Sequence, residues 1–354
     1  MPTAVEPPIQ PMLAKLSPTL PTGAFAYEPK WDGFRCLAFR TGDDVDLRSR
    51  NDRPLARYFP EVVEALLQLP ERQLVLDGEI IPAGTGGFDF AALMSRLHPA
   101  ASRVARLREE LPVAYVAFDV LAVDGRPLLD VPFTERRRVL ERLLASPPAG
   151  LALTPATDDP AQATRWLAEL SGGGVDGVVA KALGGTYTPG RRTMVKVKRE
   201  RTADCVVAGA RLFPDGRGVS SLLLGLYDER ESLRHVGVVT AFPAAERREL
   251  VHVLRPHAIP LEEHPWRNGF LIGASPLGRL KGSAARWTPA MEHDWLPLAP
   301  ELVAEVAFDQ VDVDRFRHPA RFRRWRADRD PRSCRLDQIV LGTEDLGRVQ
   351  SLAG

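Results

Sequence analysis

Hydrophobic and polar positions alternate in short runs along most of the chain, and the period of the alternation changes often. FAYEPKWDGFRCLAFRTGDDVDLRS has apolar residues at every second place on both sides of Gly42-Asp43-Asp44, which predicts strand, turn, strand over Phe25–Arg48. Between Pro60 and Leu69 the apolar residues Val62, Val63, Leu66, Leu67 and Leu69 fall at helical spacing. QLVLDGEIIP reads as a short apolar strand broken at Asp77-Gly78, and Phe90–Leu97 and Ala101–Leu111 read as helices. VAYVAFDVLAVDG is nearly continuously apolar, the mark of a buried strand. Thr134–Leu144 and Asp159–Leu170 are predicted helices, the second with an acidic first turn and a stop before Gly172-Gly173-Gly174. VDGVVAKAL and TMVKVKRE add two strands, the latter with alternating basic residues.

The pattern changes at Ala203. DCVVAGARL, SLLLGLY, LRHVGVVT and LVAEVAFDQV are short strands around one helical piece, Ala244–Leu254, which predicts a small five-stranded barrel. The boundary falls between Arg199 and Ala203, giving expected domains 1–200 and 201–354. A chain of 354 residues has room for two cores. Its 44% hydrophobic and 26% charged content is that of a globular protein. The longest apolar runs, such as VVEALLQL, are too short to span a membrane, and the N-terminus lacks the form of a secretory signal, so a cytoplasmic protein is expected.

Composition narrows the chemistry. Cys36, Cys205 and Cys334 are far apart and form no CxxC pair, which argues against a disulfide framework and a zinc site. The seven histidines show no ligand spacing, so any metal is expected to be a hard ion on carboxylates and phosphates. The net charge of +1 gives no hint of nucleic acid, but its distribution does. Nine arginines lie between Arg315 and Arg335 against two acids, Asp328 and Asp330. Guanidinium forks suit phosphate; a solvated basic face is the plainer reading.

Lys30-Trp31-Asp32-Gly33-Phe34-Arg35 is a K-x-D-G-x-R box. A single lysine at a strand end is ordinarily just solvated, and a single phenylalanine such as Phe118 in an apolar strand is ordinarily core. Here the box heads an ordered series: Asp77-Gly78-Glu79, Phe118-Asp119, Asp176-Gly177-Val178-Val179-Ala180-Lys181, Lys196-Val197-Lys198, and Arg324-Trp325-Arg326-Ala327-Asp328-Arg329. Lys196 and Lys198, two apart in a strand, share a face and call for an anion.

This series resembles the motifs of the covalent nucleotidyltransferases, the ATP-dependent DNA ligases, RNA ligases and capping guanylyltransferases. The phrases PPIQPMLAKL, TYTPGRR, RWTPAMEHDWLPLAPELVAEVAFDQV and RHPARFRRWRADRDP look like bacterial DNA ligases of the ligase C group and the ligase module of ligase D. The resemblance implies an α+β fold, a nucleotidyltransferase (adenylation) domain of antiparallel sheets with helices followed by an OB-fold barrel. It implies ATP as substrate, Mg²⁺ or Mn²⁺, nicked duplex DNA as partner, a monomer, and a role in DNA repair. By the same resemblance Lys30 is the nucleophile, assisted by Lys196 and Lys198, which are expected to disfavour its charged form. Asp32 and Arg35 serve the nick, the carbonyl of Glu28 meets adenine, and Glu79 meets the ribose. Phe118 stacks on the base, with Gly33 letting backbone approach the nucleotide. Asp176, where most relatives carry glutamate, holds the metal. Arg324, Arg326 and Arg329 clamp the leaving pyrophosphate, and Arg50 in Ser49-Arg50-Asn51, Arg191 and Arg192 contact DNA. Two rivals remain at this point: a guanylyltransferase or RNA ligase, and a nucleic-acid-binding barrel protein whose transferase half is inactive. The segment Ser275–Trp287 is either a DNA-wrapping loop or an irregular barrel connection.

Overall fold

The computed structural model describes residues 5–83, 90–98, 100–170, 174–267, 295–312 and 314–339. Ser275–Trp287 lies outside them. The chain forms two compact units, residues 1–199 with 341–354, and residues 200–340.

The first unit contains two sheets. One has the order β1 (Leu13–Ser17), β10 (Arg192–Val197), β9 (Val175–Ala182), β2 (Phe25–Trp31), with β1 parallel to β10 and the other pairs antiparallel. The other runs β4 (Asp44–Ser49), β3 (Phe34–Thr41), β5 (Gln73–Pro82), β6 (Val113–Val123), β7 (Arg126–Pro127), with β8 (Leu151–Leu153) parallel beside β6. The helices are α1 (Pro60–Leu67), α2 (Phe90–Ser95), α3 (Ala101–Glu110), α4 (Phe133–Leu143) and α5 (Pro160–Glu169). In α5 the Asp159 carboxylate caps the backbone N–H groups of Ala161 and Gln162, and proline occupies the first turn, where its missing N–H costs nothing.

The alternation along β3 explains how the layers assemble. Cys36 and Ala38 join a core with Leu66 of α1 and Leu140 of α4, while Leu37 and Phe39 join one with Met12, Tyr187 and Met194. Period-two side chains thus pack helices on one face and the first sheet's residues on the other.

Two strand readings need correction. Phe25–Arg48 is not one strand, a turn and a strand. The chain leaves the first sheet after Trp31 and enters the second at Phe34, so Asp32-Gly33 is a crossover between sheets. Apolar alternation continues through it because both strands have buried faces. QLVLDGEIIP is likewise not broken. β5 runs through Asp77-Gly78 with only a register shift against β6, and Gly78 leaves space that the Tyr115 ring fills.

The second unit is built on a five-strand path: β13 (Leu233–Val239), β12 (Val219–Tyr227), β11 (Arg201–Leu212), β15 (Val303–Phe308), β18 (Arg321–Trp325). The two-residue strand β14 (Leu296–Pro297) also pairs with β11, and β16 (Val311–Asp312) and β17 (Arg315–Phe316) form a small hairpin. Helix α6 (Ala244–Leu254) packs on the same core through Leu250, Val251 and Leu254. A parallel bridge between Val239 and Ala320, with Ala320 N–H donating to Val238 O at 2.8 Å, brings the two ends of the path together. This is the OB-type half-barrel, and the whole chain is α+β.

Gly177 has φ +135°, and a Cβ there would sit 2.1 Å from Val197 O. Gly177→Ala is therefore expected to destabilise the protein by about 1–3 kcal/mol through backbone strain alone, with the clash adding to it. Thermal melting tests this; an unchanged Tm would show that β9 and β10 can separate freely there.

Candidate active site

A cleft of about 470 Å³ lies in the first unit, lined from both sheets. Leu13, Glu28, Lys30, Lys181, Met194 and Lys196 come from the first sheet; Phe34, Arg35, Glu79 and Phe118 come from the second. Asp32 and Gly33 line it from the crossover, and Ser49, Arg50, Asn51 and Arg53 from the turn after β4.

Gly33 works differently from the expectation. Its Cβ position is 2.1 Å from Ile80 O, so the missing side chain admits the backbone of β5, and that approach brings β5 to the crossover. Gly33 N–H then donates to Glu79 Oε1 at 3.0 Å. Burial raises the Glu79 carboxyl to about 7, against the opposing pull of Lys30 and Arg35.

Lys30 Nζ is 2.9 Å from Asp176 Oδ2, and Lys198 Nζ is 2.6 Å from the same oxygen. Burial alone would lower the Lys30 pKa, but the carboxylates of Asp176, Glu79 and Asp32 together outweigh it and the net shift is upward. Lys196 is the lysine held below its ordinary range, by burial and by the charges of Lys30 and Lys198. Lys196 lines the cleft, while Lys198, just past the end of β10, is paired with Asp176.

Phe118 is half-buried on β6, with its flanking residues Ala117 and Asp119 buried, so its ring belongs to the cleft and not to the core. The Arg35 guanidinium lies 5.3 Å from its ring centroid and the Lys181 ammonium 5.0 Å. Lys181 also donates to Phe118 O at 2.6 Å and pairs with Glu28 at 2.8 Å. Burial raises the Glu28 carboxyl even with Lys181 and Arg137 beside it. Behind this lies Asp119, bound through both oxygens by Arg136 at 2.7 and 3.0 Å. Arg192 lines the cleft, whereas Arg191 is exposed and is not among the lining residues.

The arginine box belongs to the second unit, and its side chains are committed within that unit. Arg326 binds Asp204 at 3.0 Å and Asp328 at 2.8 Å, Arg324 binds Glu305 at 2.7 Å, and Arg329 lies 3.7 Å from Asp204. The basic run is neutralised more widely too: Arg321 pairs with Glu200 and Asp309, Arg323 with Glu200, and Arg335 with Glu231. Local charge counting missed these acids because they lie on distant strands and loops.

Sequence reasoning gave no role to Lys181, Asp77 or Tyr187. A lysine closing an otherwise apolar strand is itself a signal, since a buried ammonium needs partners. Tyr187 offers no comparable local signal; its partner Asp77 is remote in sequence, with the hydroxyl 2.7 Å from Asp77 Oδ2.

Folding favours the neutral form of Glu79. Its contribution to stability is present below its ordinary value of 4.5 and is lost as pH rises through about 7. The Tm of Glu79→Gln minus that of wild type should therefore grow between pH 5 and 8. A difference independent of pH would overturn the raised value.

The chain as a whole resembles known proteins. The family described as ATP dependent DNA ligase domain matches residues 11–198, and the ATP dependent DNA ligase C terminal region matches residues 215–329. DNA ligase C2 of Mycolicibacterium smegmatis is 50% identical over 338 residues, covering 95% of each chain. DNA ligase C of Mycobacterium tuberculosis is 48% identical over 341 residues, covering 95% of this chain and 94% of its own. Among solved structures, Pmar-Lig_Pre superposes with TM-score 0.53 at 17% identity, covering 89% of this chain and 68% of its own, a likeness of fold. On these matches the chain belongs to the ATP-dependent DNA ligases.

Proposed function

We propose that the protein seals nicks in duplex DNA, using ATP to activate the 5′-phosphate through an adenylate on Lys30. One observation carries this reading: Lys30 opens into a cleft that also presents the Phe118 ring, the Glu79 carboxyl and Lys196.

In the first step the neutral Lys30 Nζ attacks the α-phosphorus of ATP. An N–P bond forms, the bond from the α-phosphorus to the bridging oxygen breaks, and pyrophosphate leaves. In the second, a 5′-phosphate oxygen at the nick takes the AMP and the N–P bond breaks. In the third, the 3′-hydroxyl oxygen attacks the nick phosphorus, joining the strand and releasing AMP. Such steps are governed by positioning and charge stabilisation. Phe118 receives the adenine face, with the Glu28 carbonyl at its amino group, and Glu79 takes a ribose hydroxyl. Lys196 meets the α-phosphate. Arg35, Arg50 and Asp32 serve the nick, with Arg191 and Arg192 on the adjoining backbone, and Arg324, Arg326 and Arg329 act on the triphosphate in the first step alone. For that, Arg326 exchanges its present carboxylates for phosphate oxygens.

Asp176 suits a divalent ion, because one of its oxygens already gathers two cationic groups, and Mg²⁺ needs only one or two protein carboxylates beside phosphates and waters. Bound there, Mg²⁺ or Mn²⁺ would supply charge neutralisation at the phosphates. Lys30 for its part needs relief from Asp176. Were a divalent cation to draw that oxygen away from both lysines, burial would favour the neutral amine that the attack requires.

The test is transfer of label from α-labelled ATP, read on a denaturing gel, followed by chase onto nicked DNA. Wild type should take label and pass it on, and Lys30→Ala should take none. Labelling by GTP in place of ATP would favour the guanylyltransferase reading. Arg326→Ala should slow lysine adenylylation by ~10²-fold, the scale of losing one preorganised charge-stabilising donor. It should seal a pre-adenylylated nick at nearly the wild-type rate. Equal loss in both assays would overturn the restriction of this arginine to the first step.

A further inference from the structure

Arg35 enters a buried polar arrangement that the reaction steps above leave unused. The Asp77 carboxylate, 1% exposed, accepts from Arg35 Nε on Oδ1 at 3.0 Å and from Arg35 Nη2 on Oδ2 at 2.6 Å. That grip takes one edge of the guanidinium and leaves Nη1 without a hydrogen bond among the described residues. The Tyr187 hydroxyl donates to Asp77 Oδ2 at 2.7 Å and accepts from Met12 N–H at 3.0 Å. Burial holds the Tyr187 phenol well above its ordinary range, so its proton stays in place to be donated.

Tyr187 stands in the turn that carries Arg191 and Arg192, and the chain around Met12 is laced to that turn. Leu13 N–H donates to Arg191 O at 2.7 Å, and Thr188 N–H meets Met12 Sδ at 3.5 Å. Gly190, at φ +70°, packs against Gln10. Asp77 therefore joins the cleft arginine to the segment that leads to Arg191 and Arg192.

We infer that Tyr187 is a positioning residue for the DNA steps: by binding the Asp77 oxygen that Arg35 Nη2 also binds, it fixes the guanidinium plane that presents Nη1 to the nick phosphate, and ties that plane to the turn of Arg191 and Arg192. The inference rests on the assignment of Arg35 to the nick. The ring of Tyr187 packs in the core with Leu37, Val75 and Met194, so Tyr187→Phe keeps the packing and removes the hydrogen bonds alone.

The experiment separates the half-reactions in the full chain. Tyr187→Phe should adenylylate Lys30 within about twofold of wild type while its KM for a pre-adenylylated nick rises about 10-fold, the scale of one charge-assisted hydrogen bond. In an Arg35→Gln background, adding Tyr187→Phe should change sealing no further, because the group it positions is gone. A wild-type KM for Tyr187→Phe beside a deficient Arg35→Gln would overturn the inference alone. So would equal loss in both half-reactions, or the same KM increase in the Arg35→Gln background. Wild-type sealing by Arg35→Gln would overturn the placement of Arg35 on the nick, and the inference with it.

Discussion

Close approach of backbone to backbone at Gly33 and Gly177 is the constraint on which the site depends. At both positions a Cβ would lie 2.1 Å from the carbonyl oxygen of the neighbouring strand, Ile80 in one case and Val197 in the other. Each glycine follows an aspartate. The first lets the chain cross between sheets beside Glu79; the second sets Asp176 beside both Lys30 and Lys198. Residues far apart in the chain thus meet because two places in the fold carry no side chain. A larger residue at either would move a strand, and the carboxylates would part from the lysines before any catalytic group was altered.

With the strands fixed, charge pairing organises the rest. Several charged groups in and behind the cleft have carboxylate partners, and those pairs are of two kinds. Arg35 with Asp77, and Arg136 with Asp119, are two-point pairs of nearly buried groups, and breaking one would strand a charge in a medium that solvates it poorly. They are framework. Lys30 and Lys198 are instead about one-quarter exposed and compete for a single oxygen. Such pairs exchange readily, because water or a phosphate can replace the contact. The arginine box in the second unit has the same exchangeable character, being bound to Asp204, Glu305 and Asp328 near the surface.

This division explains what could be read from the sequence. Apolar periodicity located the helices from Pro60 onward and the longer strands of both units, since both depend on near neighbours, but it missed β1 and the arginine-rich β18. The boxes around Lys30, Glu79, Asp176 and Lys196 named groups that do converge, and Phe118 proved to be a cleft residue because the strand's alternation turns it away from the core. What depends on remote partners was not legible. The crossover at Asp32-Gly33 hides in an unbroken alternation, because strands of two different sheets can share one apolar rhythm. Acids neutralising Arg321–Arg335 lie on β11, on β15 and in the turn before β13, beyond any local window. Tyr187 acquires significance only through Asp77.

The protonation of Lys30 shows why the distinction matters for chemistry. A nucleophilic amine must be neutral, and two tendencies oppose each other at its nitrogen. Burial, the largest single influence, favours the neutral form, and the carboxylates of Asp176, Glu79 and Asp32 together favour the ammonium more strongly. An ATP phosphate alone would add to the second tendency, since it brings more negative charge. Relief has to come from cations that compete with Lys30 for the anions around it. Lys198 already shares the decisive oxygen, and Lys196, held below its ordinary range, is suited to meet phosphate. With those anions occupied, the burial of Lys30 becomes the dominant influence and the amine loses its proton. On the proposed function, the ion pair with Asp176 holds Lys30 protonated until counter-charges arriving with substrate shift the balance toward attack.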